Sequence, residues 1–122
     1  MANVIQVLED SARNYVIKIT GTAPDVAALI VDVSALATPC TRVKLVEAQY
    51  DIGTGTVATL LWDATTDVTL ITMTEGPGQT LCWQHLGGIN NPNAAGSTGD
   101  VLLTTTGTAV YTLTLWFVKK YN

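Results

Sequence analysis

His85 is the chain's single histidine, and it stands three residues after Cys82 in the run Leu81-Cys82-Trp83-Gln84-His85-Leu86. A Cys–His pair acts as an activated nucleophile, or as two ligands of one metal, only where the side chains meet. At this spacing an extended strand sends them to opposite faces. His85 is therefore read as a strand or loop histidine making ordinary hydrogen bonds.

Carboxylates occur in two close pairs, Glu9-Asp10 and Asp63 with Asp67. The first precedes Ser11-Ala12-Arg13-Asn14, a composition that suits a turn capped by short polar side chains. The second brackets another turn, Asp63-Ala64-Thr65-Thr66-Asp67. Carboxylates suit Ca²⁺, but neither pair has the dense oxygen-ligand spacing of a calcium loop. No metal and no cofactor is expected. Gly53, Gly55, Gly76 and Gly78 form no phosphate-cradling fingerprint, and Ser11, Ser34 and Ser97 lie outside any nucleophile elbow. No catalytic residue is assigned, and the sequence points away from an enzyme. Trp62, Trp83 and Trp116 suit either core packing or a surface platform for a sugar or a protein.

The elements that would position these residues read as strands. Threonine supplies 20 of the 122 residues, and Val, Ile and Leu supply most of the apolar share. β-Branched side chains lose freedom in a helix and pack well on a pleated sheet. Gly21, Gly53, Gly55, Gly76, Gly78, Gly87, Gly88 and Gly107 cut the chain into short blocks. In 14–20, Tyr15, Ile17 and Ile19 alternate with Lys18 and Thr20. In 110–118, Tyr111, Leu113, Leu115 and Phe117 alternate with Thr112, Thr114 and Trp116. Period-two patterning marks strands with a buried face. Trp116 also gives the last strand a large apolar group on its other face, which predicts cover on both sides, by a second sheet and by a neighbouring subunit. Further strands are predicted at 3–9, 41–50, 56–63, 67–74, 80–85 and 100–106. Between 25 and 36, helical and strand spacing compete; the β-branched Ile30, Val31 and Val33 favour a strand over 28–33, then one helical turn at 34–37. The run from Gly87 to Gly99 is nearly all turn formers, a long loop of the functional or mobile kind. The expected fold is all-β: a single-domain antiparallel β-sandwich, jelly-roll-like, of about eight strands over 1–122.

Composition narrows the class. Apolar residues are 48% of the chain and charged residues 13%, so disorder is excluded and a partner-covered surface is expected. The net charge of -4 and the scattered Lys and Arg argue against nucleic-acid binding. The start shows no signal peptide, and no apolar run is long enough to span a bilayer, so no membrane role is expected. Cys40 and Cys82 are read as buried thiols, with a disulfide between them as the alternative.

Four segments carry a resemblance. They are Val7-Leu8-Glu9-Asp10-Ser11-Ala12-Arg13-Asn14, Leu60-Leu61-Trp62-Asp63-Ala64-Thr65-Thr66-Asp67-Val68, Gly99-Asp100-Val101-Leu102-Leu103-Thr104-Thr105-Thr106-Gly107, and the closing strand from Tyr111 to Lys120. In order and spacing the chain resembles small virion structural proteins of tailed phages and prophages. The resemblance implies a capsid cement or decoration protein, made in the host cytoplasm and located in the virion. It would bind the major capsid protein or other virion proteins, as a homotrimer. A tail, baseplate or head–tail joining protein is the alternative, and a carbohydrate-binding module a third.

A cement protein needs elements that reach a neighbour. Residues 1–7 are read as an N-terminal arm or, equally, as an ordinary edge strand, with Asn3, Val4, Ile5 and Gln6 as partner-binding residues. Trp116 and the loop residues Asn90, Asn91 and Asn93 complete the expected contact set.

Overall fold

A computed structural model describes residues 3–122. Ten strands follow in order: β1 (Val4–Asp10), β2 (Asn14–Thr22), β3 (Asp25–Val31), β4 (Arg42–Ile52), β5 (Val57–Trp62), β6 (Val68–Met73), β7 (Gly76–Cys82), β8 (Ile89–Asn90), β9 (Val101–Thr106) and β10 (Val110–Lys120). Two short 3₁₀ turns, at Val33–Ala35 and Gln84–Leu86, are the only helical pieces among the described residues. Among the described residues no helix is long and apolar enough to cross a membrane.

The topology is a long hairpin wound on itself. β5 and β6 form its tip, and β4–β7, β3–β9 and β2–β10 continue the paired strip, all antiparallel. Winding then lays β10 against β4 and β9 against β5. The result is sheet A, ordered β1-β2-β10-β4-β7 with β8 also on β4, and sheet B, ordered β3-β9-β5-β6. This is jelly-roll winding, to which β1 and β8 are additions.

The core lies between the sheets and follows the alternation. Leu113, Leu115 and Phe117 of β10 pair with Ile19, Ile17 and Tyr15 of β2, all buried. Sheet B answers with Val31, Leu60, Trp62, Met73 and Leu103. Each end carries a polar staple. At one, the Tyr111 hydroxyl on sheet A donates to Asp25 Oδ2 on sheet B at 2.5 Å, and Thr105 Oγ1 accepts from Asp25 N at 2.8 Å. At the other, the enclosed Lys119 ammonium donates to Asp10 Oδ1 and to the Thr38 carbonyl oxygen.

Several boundaries differ from expectation. The strand predicted at 28–33 begins at Asp25 and ends at Val31, and the helical turn after it is Val33–Ala35. Its pairing with β9 is interrupted twice, and Ala27 sits at φ 46. Two-residue periodicity is lost across such bulges, which explains why helical spacing competed. β7 starts at Gly76, and the chain turns into 3₁₀ after Cys82, so the strand expected over 80–85 is displaced toward the N-terminus. The loop from Gly87 contains β8, paired to Lys44 and Leu45. The thiols are not both buried: Cys82 is exposed and Cys40 half-buried, and both are free.

Candidate functional site

The residues with chemical potential are dispersed by this fold. His85 is exposed in the second 3₁₀ turn, and Cys82 ends β7 on the outer face opposite Glu47. They share no strand, so the opposite-face argument does not apply to them. Asp10 is committed to Lys119 and to the Ala37 amide. Asp63 accepts from Thr98 Oγ1, and Asp67 accepts from the Ala64 amide, closing the turn between β5 and β6. Burial pushes the Cys40 thiol above its ordinary range, the opposite of nucleophile activation. Among the described residues no three His, Cys, Asp or Glu side chains converge as metal ligands.

The tryptophans also separate. Trp62 is 2% exposed and belongs to the core, and Trp83 packs against that core. Trp116 is the one directed to the outer face of sheet A. Its indole N–H donates to Asn14 Oδ1 at 3.0 Å, which fixes the ring. Sheet B covers the inner side of β10, and among the described residues no second sheet lies on its outer face.

The proposed contact residues fall into three places on sheet A. Val4, Ile5 and Gln6 lie on β1, an edge strand paired to β2 through Val4↔Thr20, Ile5↔Ile19 and Gln6↔Lys18. Of these, Ile5 packs against the core, whereas Val4 is 66% exposed. Farther along the same strand Val7 and Leu8 are 51% and 50% exposed, and a bulge interrupts the pairing between Val7 and Glu9. Asn3, just before β1, is half-buried, and its Nδ2 is enclosed without a hydrogen-bond partner among the described residues. Residues 1 and 2 of the expected arm lie outside the described residues. Val4 to Val7 of it are paired as a strand.

Asn90, Asn91 and Asn93 lie at the opposite edge, beyond β4. They are not equivalent. Asn91 is buried, and its Oδ1 accepts from the Asn93 amide at 2.8 Å, so it shapes the loop and is not available to a partner. Asn93 takes the left-handed conformation, φ 58, that asparagine tolerates. Asn90 and Asn93 are exposed.

Between these edges lies a feature that sequence reasoning missed. Arg13, Lys44, Val46, Gln84, Gly87, Trp116 and Val118 line a groove of about 250 Å³ on the outer face of sheet A. Trp116 provides an aromatic wall and Val46 and Val118 a buried apolar floor, with two cations and no carboxylate in the lining. Cations beside an aromatic wall and an apolar floor are chemically suited to an anionic group carried on a partly apolar segment. The cations looked scattered because Arg13 and Lys44 are far apart in sequence; register alone joins them, through Val118, which pairs with both Asn14 and Lys44. Neither a protein-family model nor a curated protein sequence matches this chain.

Proposed function

We propose that this chain is a structural protein of a tailed-phage virion, a capsid cement or decoration protein that binds the assembled shell as a homotrimer. The observation that carries the reading is the outward edge of sheet A. β1 is paired on one side only, leaving a row of backbone donors and acceptors open, with Val4, Val7 and Leu8 exposed beside it. An open apolar edge is a template for adding a strand from another chain. The four segments resembling virion proteins support the same role. Jelly rolls recur among viral capsid and lectin domains, which adds support by fold analogy. A sugar platform gains less support, because Trp62 is buried in the core, Trp83 packs partly against it, and only Trp116 is directed to the outer face of sheet A.

The test is the composition of purified particles. A decoration protein is present in fixed ratio to the major capsid protein and comes off with the heads. Recovery only with tails or baseplates would favour the joint or tail role, and absence from particles would overturn the virion reading.

A further inference from the structure

Charge is segregated between the two sheets. All six Lys and Arg residues lie on sheet A or in the β1–β2 turn, and no strand of sheet B contains one. Six of the ten carboxylates, Asp25, Asp32, Asp63, Asp67, Glu75 and Asp100, lie on sheet B or the loops leaving it. Lys119–Asp10 is the one ion pair among the described residues. Arg13 and Lys44 therefore face the Trp116 groove without a carboxylate partner.

The complementary group sits at the same end of the molecule. The Thr41 amide donates to the Lys120 carbonyl on the sheet A side, and Gly99 lies against Thr41 beside the acidic loops. There the carboxyl of Asp100 is held above its ordinary range, first by burial and then by Asp32 and Asp63; Val33 and Thr98 hydrogen bonds oppose this. Asp32, Asp63 and Asp100 thus gather at that end of sheet B. Among the described residues Arg13 and Lys44, on the sheet A side, form no ion pair with these carboxylates; the nearby Glu47, opposite Trp116, accepts from Gln49 Nε2.

We propose that the groove lined by Arg13, Lys44 and Trp116 docks a second copy of this chain, by receiving the turn that carries that copy's Asp63 and Asp67. Opposite charge supplies the attraction and suppresses like-to-like contacts. The apolar floor and Trp116 supply the area that ion pairs alone do not. Because the two surfaces belong to opposite sheets, one copy offers its groove to one neighbour and its acidic turn to the other. That is a heterologous contact, which closes into a ring when the rotation permits. The inference rests on the homo-oligomer part of the proposed function and names its contact; the virion assignment is not needed for it.

Sedimentation of the purified protein at tens of micromolar tests it. The wild type is expected to be oligomeric and to dissociate as salt is raised from about 0.05 to about 0.5 M, where exposed charges are screened. Arg13→Glu with Lys44→Glu, and separately Asp67→Lys, should each weaken association at least tenfold. Mixing the two variants should restore assembly, which misfolded chains cannot do. An oligomer indifferent to salt and to both variants would overturn the inference while leaving homo-oligomerisation intact. Loss of association that mixing does not restore would also overturn it. A monomeric wild type would overturn both, and particle composition would still decide the virion reading on its own.

Discussion

The ammonium of Lys119, shut off from solvent, lies 2.6 Å from Asp10 Oδ1 and binds the end of the last strand to the end of the first. Its second bond, 2.9 Å to the Thr38 carbonyl, brings in the loop before β4. Burial alone would raise the Asp10 carboxyl. The Ala37 amide and Lys119 outweigh that and hold it below its ordinary value of 3.8. Protein side-chain exposure places Lys119 deeper than Asp10, so the penalty of breaking the pair falls mainly on the lysine.

Asp10→Asn is therefore expected to cost about 2 kcal/mol at neutral pH, less than a fully buried pair because Asp10 keeps some solvent. Lys119→Met, which removes the buried charge, should cost less than Asp10→Asn. The sign of the pH dependence follows from the lowered carboxyl. The contribution is present above the unfolded-state value and is lost as pH falls below about 4 toward the folded-state value. Urea midpoints measured from pH 7 downward should fall for the wild type and flatten for Asp10→Asn over the acid range.

The Tyr111–Asp25 staple predicts late phenol titration. Burial, then the hydrogen bond to Asp25, pushes Tyr111 well above the ordinary phenol value of 10.0, and burial with the Asp10 charge raises Tyr15. A raised folded-state value means the stabilising contribution is complete below the unfolded value of about 10 and is lost only as pH rises through the folded one. Ultraviolet titration should show these two phenolates appearing together with alkaline unfolding. Tyr111→Phe should cost about 2 kcal/mol, because the buried Asp25 Oδ2 loses its closest donor.

Ala27 is strained where β3 is irregular. At φ 46 its Cβ crowds the backbone, although its amide is held by Thr104 Oγ1 at 3.0 Å. Ala27→Gly relieves the crowding, and a gain of up to about 1 kcal/mol is expected, with Ala27→Val destabilising by a comparable amount. Thermal melting of the pair reads the two signs.

Deleting residues 2–8 separates an edge strand needed for folding from one kept for a partner. The cut removes five of the seven β1 residues, the core-packed Ile5 and the bulge at Leu8 included, and keeps Asp10 with Lys119. A folded, cooperative protein is expected, with particle binding reduced. Aggregation or loss of the melting transition would make β1 part of the core.

His85 is exposed and unassigned. His85→Gln is expected to change the unfolding free energy by no more than about 0.5 kcal/mol, the range of ordinary surface substitutions, as read by thermal melting. A larger loss, or one produced by chelator, would reveal a site there.

Regular strands were legible because alternation in β2 and β10 is the same thing as their inward and outward faces. Irregular ones were not. Bulges in β3 break the period, and β8 is too short to have one. For the contact surface, β1 was readable as an edge from its terminal place and mixed faces. The groove was not, since Arg13, Lys44 and Trp116 meet only through strand register. Nor was the burial of Asn91, whose side chain looks like loop polarity and instead caps its own loop.

The position of β10 has a consequence for how the chain is made. β10 lies between β2 and β4, at the centre of sheet A, yet it is the last strand in order. Until it emerges, the inward faces of β2 and β4 have no common neighbour, and Ile17, Ile19 and Ala48 lack the side chains that enclose them. The hairpin tip β5–β6 can pair as it leaves the ribosome, but sheet A waits for the final insertion. Assembly is thus nearly all-or-none and late, built on distant pairings that form slowly. During that delay apolar strands are open to any neighbour, including another nascent copy, so the exposure of this chain to misassembly is concentrated before its last strand is in place.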